Sequence, residues 1–305
     1  MRLLLLGLAL AAALSAQAAA AQDDTAVWAH FEQWVATLPM LPPGERVSMR
    51  ERYVDALVSA GVEKDAATAR YARVETLRRS STAKEMVYWN AAFKSGGGPD
   101  APLQLLQETV QHLKPGRALD AGMGRGRNAI FLGSLGWDVT GYDIAADALT
   151  QAQAYASRAG VIIRTQQASH ETFDFGEAQW DLIVCAYCYM RIHDTQWPAV
   201  FLKALKPGGV FVFQTSTERM PVAEIAARWK DFHVLRVEDL DAGMVDNDWG
   251  PSRTSPTVKL VVRRNPAAWA YASTRRQNST HFRTSATAVD PSGTSYSISM
   301  VAGAL

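Results

Sequence analysis

The stretch Arg117–Asp143, RALDAGMGRGRNAIFLGSLGWDVTGYD, is the feature that most constrains how this chain can fold. A short apolar run precedes three alternating glycines, Gly122, Gly124 and Gly126, and a helical pattern follows them. In doubly wound sheets, a glycine-rich turn between a strand and a helix lets a ligand come close to the backbone. The stretch therefore predicts an α/β fold with a ligand site at this turn.

The rest of the chain alternates short apolar runs with helical patterns. WDLIVCAY and GGVFVFQTS indicate strands, with TQWPAVFLKAL as a helix between them. This alternation is typical of βαβ units in a parallel sheet with helices on both faces. The later runs HVLRVEDLDAG and TVKLVVRRN predict a closing antiparallel pair.

Residues 1–21 contain one basic residue, a leucine-rich run and then small residues. This pattern is typical of a secretory signal peptide, and A-x-A sites predict cleavage between Ala18 and Gln22. The alternative is an uncleaved anchor, but the leucine core is short for a membrane span. We expect a periplasmic or secreted protein with no stable membrane association after cleavage.

Three further segments follow the signal peptide. Residues 22–98 carry apolar side chains at helical spacing and predict a helical accessory segment. Residues 99–265 hold the α/β domain, with KSGGGPDAP as the boundary. Residues 266–305 are rich in Ser and Thr, and we expect a poorly ordered tail.

The charge balance bears on the kind of partner. The chain has 31 basic and 30 acidic residues, for a net charge of +1. Binding to nucleic acid normally shows as a basic domain or stripe. No nucleic-acid partner is therefore expected.

The glycine spacing bears on the kind of ligand. A dinucleotide fingerprint reads G-x-G-x-x-G, but Arg127 stands where its third glycine belongs. Asp120 lies two residues before the first glycine, where a carboxylate repels a pyrophosphate and attracts an ammonium group. These residues favour a zwitterionic ligand without phosphate.

LDAGMGRGRN followed by GWDVTGYD resembles the first two motifs of class I S-adenosylmethionine-dependent methyltransferases. The continuation GRNAIFL is similar to the tellurite-resistance and thiopurine methyltransferase-like group. The similarity covers about Pro102–Arg263 and includes QWDLIVCAY and LKALKPGGVFVF. It implies a three-layer Rossmann-like methyltransferase fold, with a mostly parallel seven-stranded sheet and a helical N-terminal extension. It also implies S-adenosyl-L-methionine as cofactor and direct methyl transfer to a small-molecule acceptor.

The same resemblance implies which residues bind the cofactor. Asp120 and the backbone of Gly122, Gly124 and Gly126 would hold its methionine part. Asp143, at the end of the second strand, would accept hydrogen bonds from the ribose hydroxyls, as a carboxylate does for a diol.

The adenine end is expected beside Ile144, which would pack on the ring. The family often has an acidic residue after the third strand, whereas this chain has Gln167 and Ala168 there. Gln167 can still accept a hydrogen bond from the adenine amino group. Cys185, on the fourth strand, completes the expected cofactor set, and no metal ligands are expected.

The acceptor is expected beyond the fourth strand, in CAYCYMRIHD. Tyr187 or Tyr189 would face the sulfonium through a cation–π attraction, and His193 would take a proton from an acceptor thiol or hydroxyl. The alternatives are packing roles for the tyrosines and a surface position for the histidine.

Cys185 and Cys188 form a C-x-x-C and are the only cysteines. Three hypotheses compete: buried or pocket-lining thiols, a redox disulfide, and soft ligands for a metalloid substrate. We expect buried or pocket-lining thiols, because thioredoxin-like folds have no use for the glycine loop.

The accessory segment ends in AKEMVYWNAAFKSGGGPD. In the enzymes that it resembles, residues before the first strand close the pocket, and Tyr88, Trp89 and Phe93 would supply aromatic contacts. The alternative is that these side chains anchor the segment to the core.

The signal peptide and the cofactor disagree, because S-adenosylmethionine is made in the cytosol. We therefore expect a methyltransferase, exported or else cytoplasmic. The alternatives are an exported, non-catalytic binding scaffold with this fold and a redox protein that uses Cys185 and Cys188.

Overall fold

The computed structural model describes residues 23–41, 47–96, 100–188, 190, 196–216, 222–245, 253–266, 288–289 and 295–296. The predicted signal peptide lies outside these residues, as do Tyr189 and His193. The chain divides into two compact units, residues 1–97 and 98–305. The segment limits drawn from the sequence stay predictions.

The first unit is helical. Its helices are α1 (23–36), α2 (Met49–Ser59), α3 (Lys64–Arg78) and α4 (Thr82–Lys94). Helix α2 begins with a capping box, in which Ser48 Oγ accepts from the Glu51 N–H and Glu51 accepts from the Ser48 N–H. The helical N-terminal region predicted from the apolar spacing is confirmed.

Aromatic side chains fill the centre of this first unit. Phe31 packs edge-on against Tyr53, with ring centroids 5.3 Å apart, and stacks on Tyr88 at 5.9 Å. The Tyr71 and Tyr88 hydroxyls lie 2.9 Å apart, and Tyr71 donates to Glu75. Aromatic pairs in these geometries add to the stabilisation that burial provides.

Arg78 is a fully buried cation in this aromatic core. It donates to Glu75 at 2.7 Å and to Glu85 at 3.3 Å, and its guanidinium lies 4.6 Å from the Tyr88 ring centroid. Burial raises the pKa of Glu75, but the charge and hydrogen bond of Arg78 bring it below its usual value. The buried charge is therefore compensated on more than one side.

The second unit is built on a seven-stranded sheet in the order β3-β2-β1-β4-β5-β7-β6. Strands β1 to β5 run parallel, and β7 pairs antiparallel with both β5 and β6. This confirms the predicted three-layer, Rossmann-like fold and its antiparallel closing pair. The strands are β1 (Arg117–Ala121), β2 (Asp138–Asp143), β3 (Arg164–Gln167), β4 (Trp180–Ala186), β5 (Leu205–Thr215), β6 (Phe232–Val245) and β7 (Arg253–Arg264).

Helices cover both faces of the sheet. One face packs on α5 (Gln104–Val110), α6 (Arg127–Ser134) and α7 (Ala146–Arg158) through a cluster of aliphatic side chains. The other face packs on α8 (Gln196–Ala204) and α9 (Val222–Arg228) through a cluster rich in aromatic rings. Alternating strand residues, such as Leu182 and Ile183, serve opposite faces.

Strand β3 is shorter than the run VIIRTQQAS predicted. Residues before Arg164 are taken up by the end of α7, where Gly160 has φ +67° and the Val161 N–H donates to the Ala156 carbonyl. A glycine in this conformation is a common way to end a helix, so the strand starts later.

Two short strands, β8 (Ala288–Val289) and β9 (Ser295–Tyr296), pair in the segment predicted to be a tail. The poor order expected for residues 266–305 stays a prediction. Across the described residues, no helix combines the length and the apolar character needed to cross a membrane.

Replacing Arg78 by Ala should lower the free energy of unfolding by about 3 kcal/mol, because it leaves the half-buried carboxylates of Glu75 and Glu85 without their cation and removes the ring contacts. Urea denaturation followed by tryptophan fluorescence measures this. Arg79→Ala is the matched control, since Arg79 is largely exposed and lies 3.6 Å from Glu75. Equal effects of the two substitutions would contradict the assignment.

Candidate functional site

The carboxyl ends of the parallel strands meet at one edge of the sheet, and the strand order reverses there between β1 and β4. Ala121 is paired with Tyr142 on one side and with Cys185 on the other. Ligands of open α/β sheets bind at this switch point. The glycine loop leaves β1 at this place, so the sequence-predicted ligand turn lies at the expected edge.

Gly122, Gly124 and Gly126 all adopt the left-handed conformation, with φ of +65°, +53° and +81°. This region favours glycine, because a Cβ atom would be strained there. At Gly122 a Cβ would also lie 2.6 Å from the Cβ of Cys188. The loop thus needs glycine for its backbone shape and for a close approach by the segment after β4.

Asp120 is the last but one residue of β1 and is 1% exposed. One of its carboxylate oxygens accepts from the Ala129 N–H of α6 at 3.0 Å. Burial raises the pKa of Asp120 to about 7, against the opposing charge of Arg127 and with a further rise from Asp143. A cation placed beside Asp120 would therefore lower its pKa and favour the ionised carboxylate.

Asp143 ends β2 and is also buried. Its Oδ2 accepts from the Gly124 N–H at 2.8 Å, and its Oδ1 accepts from the Ala145 N–H at 2.9 Å. Burial raises the pKa of Asp143 to about 6, partly offset by these backbone donors. Each carboxylate oxygen can accept more than one hydrogen bond, so the group can orient the loop and also bind a diol.

The residues predicted for the adenine end lie together beside Asp143. The Gln167 side-chain amide donates to the Ile144 carbonyl at 3.1 Å, and the Ala168 N–H donates to the Asp143 carbonyl at 3.0 Å. Ala168 is small and nearly buried. The structure therefore brings Ile144, Gln167 and Ala168 to one end of the same edge.

Tyr187 follows β4 with φ +55°, which is rare for a residue with a side chain. Its N–H donates to the Gln214 carbonyl at 2.8 Å, and its hydroxyl accepts from the Gln214 side chain at 2.6 Å. Its ring lies 6.0 Å from the Arg127 guanidinium. Tyr187 is thus fixed at the site edge, while its role toward a sulfonium stays a prediction.

Cys185 and Cys188 form a disulfide, with Cα atoms 5.8 Å apart. The sequence favoured buried or pocket-lining thiols, and the structure differs on this point. The turn at Tyr187 brings Cys188 back toward the end of β4, within the Cα separation that a disulfide needs. Cys185 is fully buried.

His170 is a residue of this edge that the sequence did not single out. Its Nδ1 lies 2.7 Å from the Tyr142 hydroxyl, and its Nε2 lies 2.6 Å from the Cys188 carbonyl oxygen. Burial lowers the pKa of His170. The sequence does show a polar residue just after the third strand, where ligands of such sheets bind. It does not show the two partners of His170, because they lie 28 and 18 residues away.

The described residues fit a zwitterionic nucleoside such as S-adenosylmethionine. The edge carries the three glycines of the loop and the carboxylates of Asp120 and Asp143. Beside Asp143 it also carries the small residue Ala168 and the amide of Gln167. Among the residues that the structure describes, no group of three or more His, Cys, Asp or Glu side chains could hold a metal ion. The fold places the chain in the Rossmann-like class, and the arrangement of this edge is the one expected of a nucleoside site in that class.

Comparison with known proteins narrows that class. Residues 118–209 match the family described as "Methyltransferase domain". Ribosomal protein L11 methyltransferase of Thermus thermophilus is 40% identical over 106 residues, which cover 34% of this chain and 40% of the relative. Ubiquinone biosynthesis O-methyltransferase of Bordetella avium is 30% identical over 137 residues, which cover 44% of this chain and 56% of the relative.

A solved structure has the same fold. It comes from work on conversion of a disulfide bond into a thioacetal group during echinomycin biosynthesis, with a TM-score of 0.50 and 15% identity. The alignment covers 66% of this chain and 98% of that one. The chain spans about half the length of the curated relatives that it matches.

Residues 118–209 therefore carry a methyltransferase domain of the class I, S-adenosylmethionine-dependent kind. S-adenosyl-L-methionine is accordingly the cofactor of this domain. The resemblance drawn from LDAGMGRGRN and GWDVTGYD is thereby confirmed at the level of family and cofactor.

Cofactor affinity should rise with pH, because a cationic ammonium group beside Asp120 favours its ionised form. With a pKa of about 7 in the free protein, ionisation of Asp120 should make S-adenosylmethionine bind up to about tenfold more tightly at pH 8 than at pH 6. Calorimetric titration at both values measures this.

Asp120→Asn is the control for titration of the ligand's own groups. In this variant the affinity for S-adenosylmethionine should differ only about twofold between pH 6 and pH 8. That remaining change is due to ionisation of Asp143, whose pKa is about 6. An equal pH dependence in the wild-type chain and this variant would exclude Asp120 as the titrating group.

The disulfide predicts that the chain purified without reductant has no reactive thiol after denaturation and two after reduction. Reduction should lower the free energy of unfolding by about 2 kcal/mol, as expected for so short a loop. Thiol titration and urea denaturation with and without reductant measure both effects. Two reactive thiols before reduction would contradict the pairing.

Proposed function

We propose that the whole protein transfers a methyl group from S-adenosylmethionine to a small-molecule acceptor by direct displacement. The observation that supports this most is the double role of Asp143, which holds the Gly124 N–H and lies at the end of β2, where a ribose is bound in folds of this kind. The scaffold and redox alternatives are not favoured.

S-adenosylmethionine supplies an electrophilic methyl group on a sulfonium. In the proposal, Asp120 attracts the ammonium end and the three glycines let the methionine part lie against the backbone. Asp143 accepts from the ribose hydroxyls, while Ile144 and Gln167 flank the adenine. Alignment and exclusion of water then account for most of the rate enhancement.

The acceptor side of the proposal rests on the segment after β4. Tyr187 would line the pocket there, and His193, which lies outside the described residues, would take a proton from the acceptor. The likeness to the tellurite-resistance and thiopurine group supports a soft acceptor, such as a thiol or an oxyanion of selenium or tellurium.

We also propose that the protein is exported. The signal-like residues 1–21 support this location, and so does the disulfide, because such bonds persist mainly in oxidising compartments. The cytoplasm is the alternative, because the cofactor is made there.

Asp143→Ala should weaken binding of S-adenosylmethionine by about tenfold or more, through loss of hydrogen bonds to a charged group. 5′-Methylthioadenosine has the ribose without the amino-acid end, so it should also lose affinity about tenfold. Any larger loss for S-adenosylmethionine measures the contribution of the glycine loop that Asp143 orders. Calorimetry with both ligands measures this.

Asp138→Ala is the matched control, since Asp138 lies exposed at the opposite end of β2 and should leave both affinities unchanged. Unchanged affinity in Asp143→Ala would remove the ribose assignment.

Turnover is tested by release of S-adenosylhomocysteine from the full chain with a panel of small thiols, hydroxyl compounds and selenium or tellurium oxyanions. We expect turnover with at least one acceptor and a fall of about fivefold or more in Asp143→Ala at cofactor concentrations near the wild-type Kd, because the variant binds less cofactor there. Tight cofactor binding without turnover on any of them would instead favour the binding scaffold.

A further inference from the structure

We propose that His170 is a positioning residue, which holds the segment after β4 against the glycine loop and so sets the width of the methionine end of the cofactor site. This inference rests on the proposed function. It concerns a side chain outside the glycine, acidic and acceptor-side residues already described.

The hydrogen bonds of His170, together with its burial, indicate which tautomer it adopts. The Cys188 carbonyl oxygen can only accept, so His170 Nε2 carries the proton and donates across 2.6 Å. A neutral imidazole has one such proton, so Nδ1 accepts from the Tyr142 hydroxyl across 2.7 Å. The lowered pKa of His170, caused by burial, agrees with this neutral form.

His170 follows β3, so its two hydrogen bonds link the carboxyl ends of β2, β3 and β4. Tyr142 lies on β2, next to the proposed ribose ligand Asp143, and Cys188 follows β4. The glycine loop of β1 lies between them, and the His170 Cε1 is 3.6 Å from the point that a Cβ on Gly122 would occupy. The imidazole therefore lies against one side of the glycine loop and links the end of β2 to the segment after β4.

In this proposal, Cys188 forms the boundary of the methionine end, and His170 holds it next to the glycine loop. Its side chain is bonded to Cys185 and its carbonyl to His170, so the residue is held at two points. Its Cβ is also the atom that a Cβ on Gly122 would meet first. Without the bond to His170, this backbone can rotate away from the loop, and the methionine end loses a fixed boundary.

Three variants test the proposal in the full chain. His170→Ala should weaken binding of S-adenosylmethionine about tenfold, the equivalent of one well-formed hydrogen bond and the order that it maintains. His170→Gln keeps an N–H donor at the reach of Nε2, so it should restore the affinity to within about threefold of the wild type. His233→Ala is the control, because His233 is exposed on the edge strand β6 and should change nothing.

A second readout needs no cofactor. Nitrogen NMR of the imidazole should show a protonated Nε2 and an unprotonated Nδ1, and Tyr142→Phe should shift the Nδ1 resonance alone. Exchange of the Tyr187 N–H, which is bonded to Gln214, should accelerate about tenfold in His170→Ala and return toward the wild-type rate in His170→Gln.

The two readouts separate the proposals. Failure of the wild-type chain to bind S-adenosylmethionine would remove the proposed function, and the positioning role with it, whatever the NMR and exchange data show. If the wild type binds, then equal affinity and equal exchange in His170→Ala would overturn the positioning role alone. A protonated Nδ1 would overturn it as well.

Discussion

The hydrogen bond from the Gly124 N–H to Asp143 is the contact on which the geometry of this edge depends. It ties the glycine loop of β1 to the end of β2, across the place where a nucleoside would lie. The same carboxylate accepts from the Ala145 N–H and so fixes the turn into α7. One buried side chain therefore orders the loop before any ligand arrives, which lowers the ordering cost of binding.

The two carboxylates that define the edge do not favour folding at neutral pH. Burial raises the pKa of Asp120 and of Asp143 above those of the unfolded chain. Their contribution to stability is complete below the unfolded pKa values near 4 and is lost as pH rises through about 6 to 7. Buried charges that cost stability are common at functional sites, where a ligand of opposite charge compensates them.

Much of the fold followed from local patterns. The glycine loop and the alternation of apolar runs predicted the parallel sheet, because such patterns leave few ways to bury both faces. The start of β3 was missed, because residues near Gly160 serve the end of α7 instead. Local apolarity does not distinguish a strand from the cap of the preceding helix.

The placement of Asp120, the glycines and Asp143 at one edge of the sheet was predictable, because these residues lie close together in sequence. The disulfide depended on the turn at Tyr187, and its φ of +55° has no sequence signature in a tyrosine. The role of His170 depended on partners 28 and 18 residues away. Such contacts are set by tertiary packing, which one sequence does not display.

The central claim is that the glycine loop holds a methyl donor and not a dinucleotide. Titration calorimetry of the full chain with S-adenosylmethionine, and separately with NADH, tests it most directly. The geometry of Asp120, Gly124 and Asp143 predicts micromolar binding of S-adenosylmethionine and none of NADH. Binding of NADH, or of neither compound, would contradict it.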